Sequence, residues 1–150
     1  MGKYQELQRL FEDTIKEQQR RRAIAHRLVI EIAEKLEELL DAPPGSVEYA
    51  ALNDPGSDLH DELADAFGRD DDGFYGASLI VTLKSEAHPQ VDFPIRVSVA
   101  NPISAIAATK SGPVEFNYDL EHDKAIAHIA DKLYGEGLLN IAARDYLEDR

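Results

Sequence analysis

Five histidines and no cysteine are what this 150-residue chain offers, beside its carboxylates, for holding a metal or moving a proton. Asp58-Leu59-His60-Asp61 and Glu121-His122-Asp123 set carboxylates beside imidazoles. Neighbours at i and i+1 point to different faces of a helix, so neither run closes easily on one ion. No HxxxH or HExxH occurs, and His122 and His128 miss a common helical face. His26 falls at the edge of an apolar stripe and His88 precedes Pro89, which are positions of ordinary boundary and surface histidines. A cryptic metal-dependent hydrolase using His60 or His122 with the adjacent carboxylates is therefore the weakest of three functional alternatives.

Other signatures fail on their spacing. Asp70-Asp71-Asp72-Gly73 matches the middle of a calcium loop, but alignment on Gly73 puts Gly68 and Leu79 where the first and last ligands belong. An acidic turn feeding a strand at Tyr75 is the expectation. None of the seven lysines has an acid two positions before it, as a PD-(D/E)xK nuclease core needs. Gly76-Ala77-Ser78-Leu79-Ile80 lacks the second glycine of a nucleophile elbow, and no phosphate-binding GxxxxGK[ST] is present. The chain is expected to be no enzyme and to hold no cofactor.

The elements that would position any site start with a single apolar phase. At 100° per residue Tyr4, Leu7, Leu10, Phe11, Ala25, Leu28, Val29, Ile32, Leu36, Leu39 and Leu40 share one side of a helix. No Pro or Gly interrupts residues 3–42, so one helix of roughly 54 Å is allowed. A compact domain of this size has a radius of gyration of only about 15 Å. The helix is expected to overhang its domain and pair with a second copy as a coiled coil. Thr14, Gln18, Arg21 and Arg22 interrupt the stripe as a polar waist, which fixes register between paired helices or else breaks the helix into two.

Ala42-Pro43-Pro44-Gly45 stops the helix. A short strand at Val47–Leu52, a helix from Ser57 to Phe67, and strands at Tyr75–Leu83 and Val91–Val99 follow, with a weaker hairpin from Ile103 to Tyr118. Pro94 suggests that its strand lies at an edge. Ile126, Ile129, Ala130 and Leu133 make one amphipathic segment before Gly135; Leu138, Ile141, Ala142 and Leu147 make another after Gly137. The fold class is α+β: a two-layer domain with an antiparallel sheet of four or five strands covered by C-terminal helices, and a long protruding N-terminal helix. Residues 1–42 form the interaction arm and 43–150 a single α+β domain.

The net charge of −13 disfavours nonspecific contact with nucleic acid and anionic membranes. Its distribution is uneven: Pro43 to Gly73 holds nine acidic residues against Arg69, while Met1 to Arg22 holds six basic and four acidic ones. Asp58, Asp61, Glu62, Asp65, Asp70, Asp71 and Asp72 form an acidic face for a partner, or a solvated one. Arg9, Lys16, Arg20 and Arg27 line up opposite the apolar stripe, which makes nucleic-acid binding, with Arg21 and Arg22 added, the second alternative. The absence of cysteine, of an apolar leader and of any ~20-residue apolar run fits a cytoplasmic protein with no membrane contact. The preferred function is a non-catalytic protein-binding or assembly module of inhibitor, immunity or adaptor type. It is expected to form a homo-oligomer through Tyr4, Leu7, Phe11, Ala25, Val29, Ile32, Leu36 and Leu39 and to bind a protein partner, with nucleic acid ranked behind.

Overall fold

The computed structural model describes residues 2–43, 45–51, 70, 72–82, 90–100 and 104–148. The expected helix at Ser57–Phe67, the loop residues 86–89, Leu52, Leu83, Ile103, His60, His88 and the carboxylates of Asp58, Asp61, Glu62, Asp65 and Asp71 lie outside them. So do the side chains of Ile141, Ala142 and Leu147. The order is α1 (Lys3–Leu39), β1 (Val47–Ala51), β2 (Tyr75–Thr82), β3 (Gln90–Ala100), β4 (Ser104–Thr109), β5 (Gly112–Asn117) and α2 (His122–Glu148). The strands form one antiparallel sheet in the order β1-β2-β3-β4-β5. The chain has the expected α+β two-layer fold, with both helices packed on one face of the sheet.

Period-two alternation decides which face that is. Val91, Phe93, Ile95, Val97 and Val99 of β3 are buried, as are Ala77, Leu79 and Val81 of β2, Ala105 and Ala107 of β4, and Phe116 of β5. Against them lie Ala25, Leu28, Val29, Ile32, Ala33 and Leu36 of α1, and Ala125, Ile126, Ile129, Ala130 and Leu133 of α2. Half of the N-terminal helix is thus built into the domain's own core. A boundary at residue 42 would cut it from the sheet it covers.

Three expectations need correction. Strand β3 is central, not an edge. Pro94 is tolerated there because β4 pairs only with Arg96–Ala100, so on that side Pro94 lies beyond the ladder while it pairs with Ser78 on the other. The C-terminal helix is one element through Gly135 and Gly137, not two segments. Each glycine costs about 1 kcal/mol of helix propensity, but Gly137 lets α2 approach Phe93 so closely that a Cβ would sit 2.3 Å from its ring. Finally, the left-handed residue that caps α1 is Asp41, at φ 52°; Gly45 is left-handed too, at φ 84°, but lies four residues further on, in the turn into β1. Its N–H reaches the carbonyl of Glu38 and that of Ala42 reaches Glu37, which closes a Schellman motif. The Glu37 carboxylate then accepts from the N–H groups of Gly45 (3.1 Å) and Val47 (3.2 Å), fixing the entry of β1 against the helix end.

Candidate interaction surface

Helix α1 is unbroken across the polar waist, so one apolar phase runs from the solvent into the core. From Gly2 to Lys16 every residue is exposed. Tyr4 (77%), Leu7 (67%), Leu10 (63%) and Phe11 (66%) stand in solvent, with Ile15 at 36% on the same side. Scattered exposed apolar side chains are normal; a row of them on one face of a projecting helix marks an interaction surface. Of the residues expected to self-associate, Tyr4, Leu7 and Phe11 lie in this row. Ala25, Val29, Ile32 and Leu36 are consumed by the chain's own sheet, because the core claims the same helical face from Ala25 onward. Leu39, 44% exposed, sits alone at the far end of the helix. Leu10 and Ile15 complete the row, and both share its phase on the helical wheel.

The polar waist sits where the helix passes the rim of the sheet. Gln18 and Arg21 line a cavity of about 180 Å³ with Gly73, Tyr75 and the end of β3, Ser98–Ala100. Glu17 binds two guanidinium groups there. Arg20 donates from Nε to Oε2 (3.1 Å) and from Nη2 to Oε1 (2.8 Å), and Arg21 donates from Nε to Oε1 (3.1 Å). These bonds, Arg20's first, hold the Glu17 carboxyl down to about 2. The core covers the stripe beyond this rim, so of the expected coiled-coil face only the segment N-terminal to it stands in solvent as a row.

The basic stripe is exposed at Arg9, Lys16, Arg20 and Arg27, but Arg20 is already committed to Glu17. On the acidic face, Asp70 belongs to the turn before β2. Its Oδ1 accepts from the N–H groups of Asp72 (3.0 Å) and Phe74 (2.9 Å), and its Oδ2 from Arg96 Nη2 (2.6 Å). The Phe74 N–H, then the Arg96 guanidinium, keep the Asp70 carboxyl below its usual range. Arg96 also stacks 4.7 Å above the Phe74 ring and reaches Asp72 at 3.4 Å. This carboxylate holds a turn together, and Gly73 at φ 86° completes it.

Among the histidines, His122 finds its carboxylate on the other helix. Its Nε2 meets the Glu31 carboxylate of α1, its ring packs edge-on against Tyr118, and its Nδ1 is enclosed. The pair joins the two helices across 91 positions of sequence, and no local spacing signals it. His26 is buried within α1, and His128 is exposed on α2. Among the described residues no group of three or more His, Asp or Glu is placed to hold a metal ion. Nor is any described helix long and apolar enough to cross a membrane.

These features define an antiparallel α+β domain whose first helix leaves the core as an apolar-striped arm. No protein-family model, curated protein or solved structure matches the chain.

Proposed function

We propose that this chain is a protein-binding and assembly module that self-associates through the projecting part of α1. The observation that carries this is the row Tyr4, Leu7, Leu10, Phe11 and Ile15 on one face of a helix segment lying outside the core. An isolated helix of that length is marginal in water, and covering its apolar face stabilises it. Protein chemistry suits the arm better than nucleic acid, since one cation of the basic stripe is neutralised by Glu17 and the whole chain carries −13.

Light scattering on the full chain at ~100 μM tests the proposal, a concentration suited to a weak, small interface. The expected result is a dimer that Phe11→Asp converts to monomer, with its circular dichroism retained and its melting temperature in dilute protein unchanged. A wild-type monomer at that concentration overturns it. A dimer that Phe11→Asp leaves intact moves the interface away from the arm.

A further inference from the structure

We propose that the partner of the arm is a second copy of this chain running antiparallel to it, in one register: Leu7 against the partner's Phe11, and Tyr4 against the partner's Thr14. This rests on self-association through the arm and specifies its geometry. The first argument is steric. The exposed row and the buried residues of α1 share one helical phase, so from Arg21 onward the space in front of the stripe is filled by the chain's own sheet. A parallel partner 8–10 Å away would have to run through that space. An antiparallel partner enters from the other end. In this register its N-terminus lies beside Lys16 and Glu17, just short of the rim at Gln18 and Arg21. The free length of one arm therefore matches the free length it must cover.

The side chains agree with this register. Leu7 with the partner's Phe11, and its symmetry mate, form two apolar layers at the centre, and the two Leu10 side chains flank the axis at position 9, about 3 Å apart along it. Thr14 has its hydroxyl bonded to the Leu10 carbonyl at 2.8 Å, which leaves its methyl group for the partner's Tyr4. Lys3 comes level with the partner's Ile15, so its long side chain is about 3 Å along the axis from the partner's Glu17, whose carboxyl stays ionised far into acid. Parallel pairing would instead set Arg21 and Arg22 of both copies against one another. The exposed apolar row amounts to on the order of 500–600 Å² per copy, so the pair sits at the lower bound for a stable interface of about 1,200 Å² in total. Dissociation in the micromolar range is the consequence.

Distance measurement on full-length single-cysteine variants decides the orientation, because the natural chain has no cysteine. Arg9→Cys and Arg27→Cys place spin labels on the exposed back of α1, away from the paired face. Antiparallel pairing in this register puts the two position-27 backbones about 54 Å apart along the axis and the two position-9 backbones level with each other, at ~1.5 Å per residue. Pulsed dipolar spectroscopy at ~100 μM should give a long distance for the first and a short one for the second. Equal short distances in a dimer overturn the antiparallel arrangement while leaving self-association standing. Oxidation of mixed Leu7→Cys and Phe11→Cys chains then fixes the register. Mixed disulfides well in excess of either homodisulfide are expected, and homodisulfides of each variant alone overturn it. A chain monomeric by light scattering overturns the underlying self-association instead.

Discussion

Two glycines in α2, two residues apart, differ in one respect that can be measured. A Cβ added at Gly135 meets nothing within 4 Å, whereas one added at Gly137 lies 2.3 Å from Phe93 Cε1 and 2.9 Å from Cζ. Carbon atoms in contact settle at about 3.5–4.0 Å, so the ring or the helix must move by roughly 1 Å. Phe93 is buried among β2, β3 and α2 and has little room to give. Overfilling a packed core costs about 1–3 kcal/mol, while exchanging glycine for alanine inside a helix recovers about 1 kcal/mol. Gly135→Ala keeps only the gain and should stabilise the chain by ~0.5–1 kcal/mol. Gly137→Ala bears both terms and should come out between neutral and ~2 kcal/mol less stable. Propensity is common to the pair, so their difference of about 1–3 kcal/mol isolates the ring contact. Urea unfolding followed by circular dichroism, at one fixed protein concentration, measures it. Phe93→Leu added to Gly137→Ala should cost less than the two substitutions separately. If the two alanine variants agree within ~0.3 kcal/mol, the contact between Gly137 and Phe93 does not constrain the fold.

Three further outcomes follow from the geometry. Asp41→Gly, at the left-handed position that ends α1, should raise stability by up to ~1 kcal/mol in thermal unfolding, and Asp41→Val should lower it. The arm's clamp should respond to acid. Glu17 titrates at about 2 in the folded chain against an ordinary 4.5, so the stability it lends is complete above the ordinary value and is lost as pH falls toward 2. Carboxyl NMR should show Arg20→Ala raising the Glu17 pKa. Ile32→Ala, fully buried, should cost ~2–5 kcal/mol, while Phe11→Ala, in solvent, should change monomer stability by less than ~0.5 kcal/mol; similar losses at both sites in dilute protein would refute the division of the stripe.

Where one residue type repeats at one period, the sequence was legible. The alternation from Val91 to Val99 marked β3 and its buried face, and the stripe from Tyr4 to Leu40 marked one long helix. Where several elements compete for the same residue, it was not. The phase of the stripe is identical on both sides of the waist, so nothing in it says that the sheet takes Ala25, Val29, Ile32 and Leu36 and leaves Tyr4, Leu7 and Phe11. Pro94 signals an unpaired neighbour correctly, yet strand order depends on how far β4 extends, which a local signal does not carry. Gly135 and Gly137 look like a break until Phe93 supplies the reason for the second. The joining of Glu31 to His122 depends on how two helices cross, and the helix cap falls at Asp41, four residues before the left-handed Gly45 that the sequence marks. Of the candidate surface, the arm was visible in outline and its end was not.

The continuity of α1 through the rim also settles how the arm comes to be helical. Starting a helix is the unfavourable step, with a nucleation factor near 10⁻³, while each added residue is close to neutral. For residues 3–20 that step has already been taken, because the turns from Ala25 to Leu36 are fixed in the core and the arm only propagates from them toward the N-terminus. The same residues cut free as a peptide must nucleate anew and should be largely unstructured. Helicity of the arm is therefore a property lent by the folded domain, strongest at the rim and fading toward Lys3. Loosening the core around Ile32 would dissolve the arm before any partner could meet it.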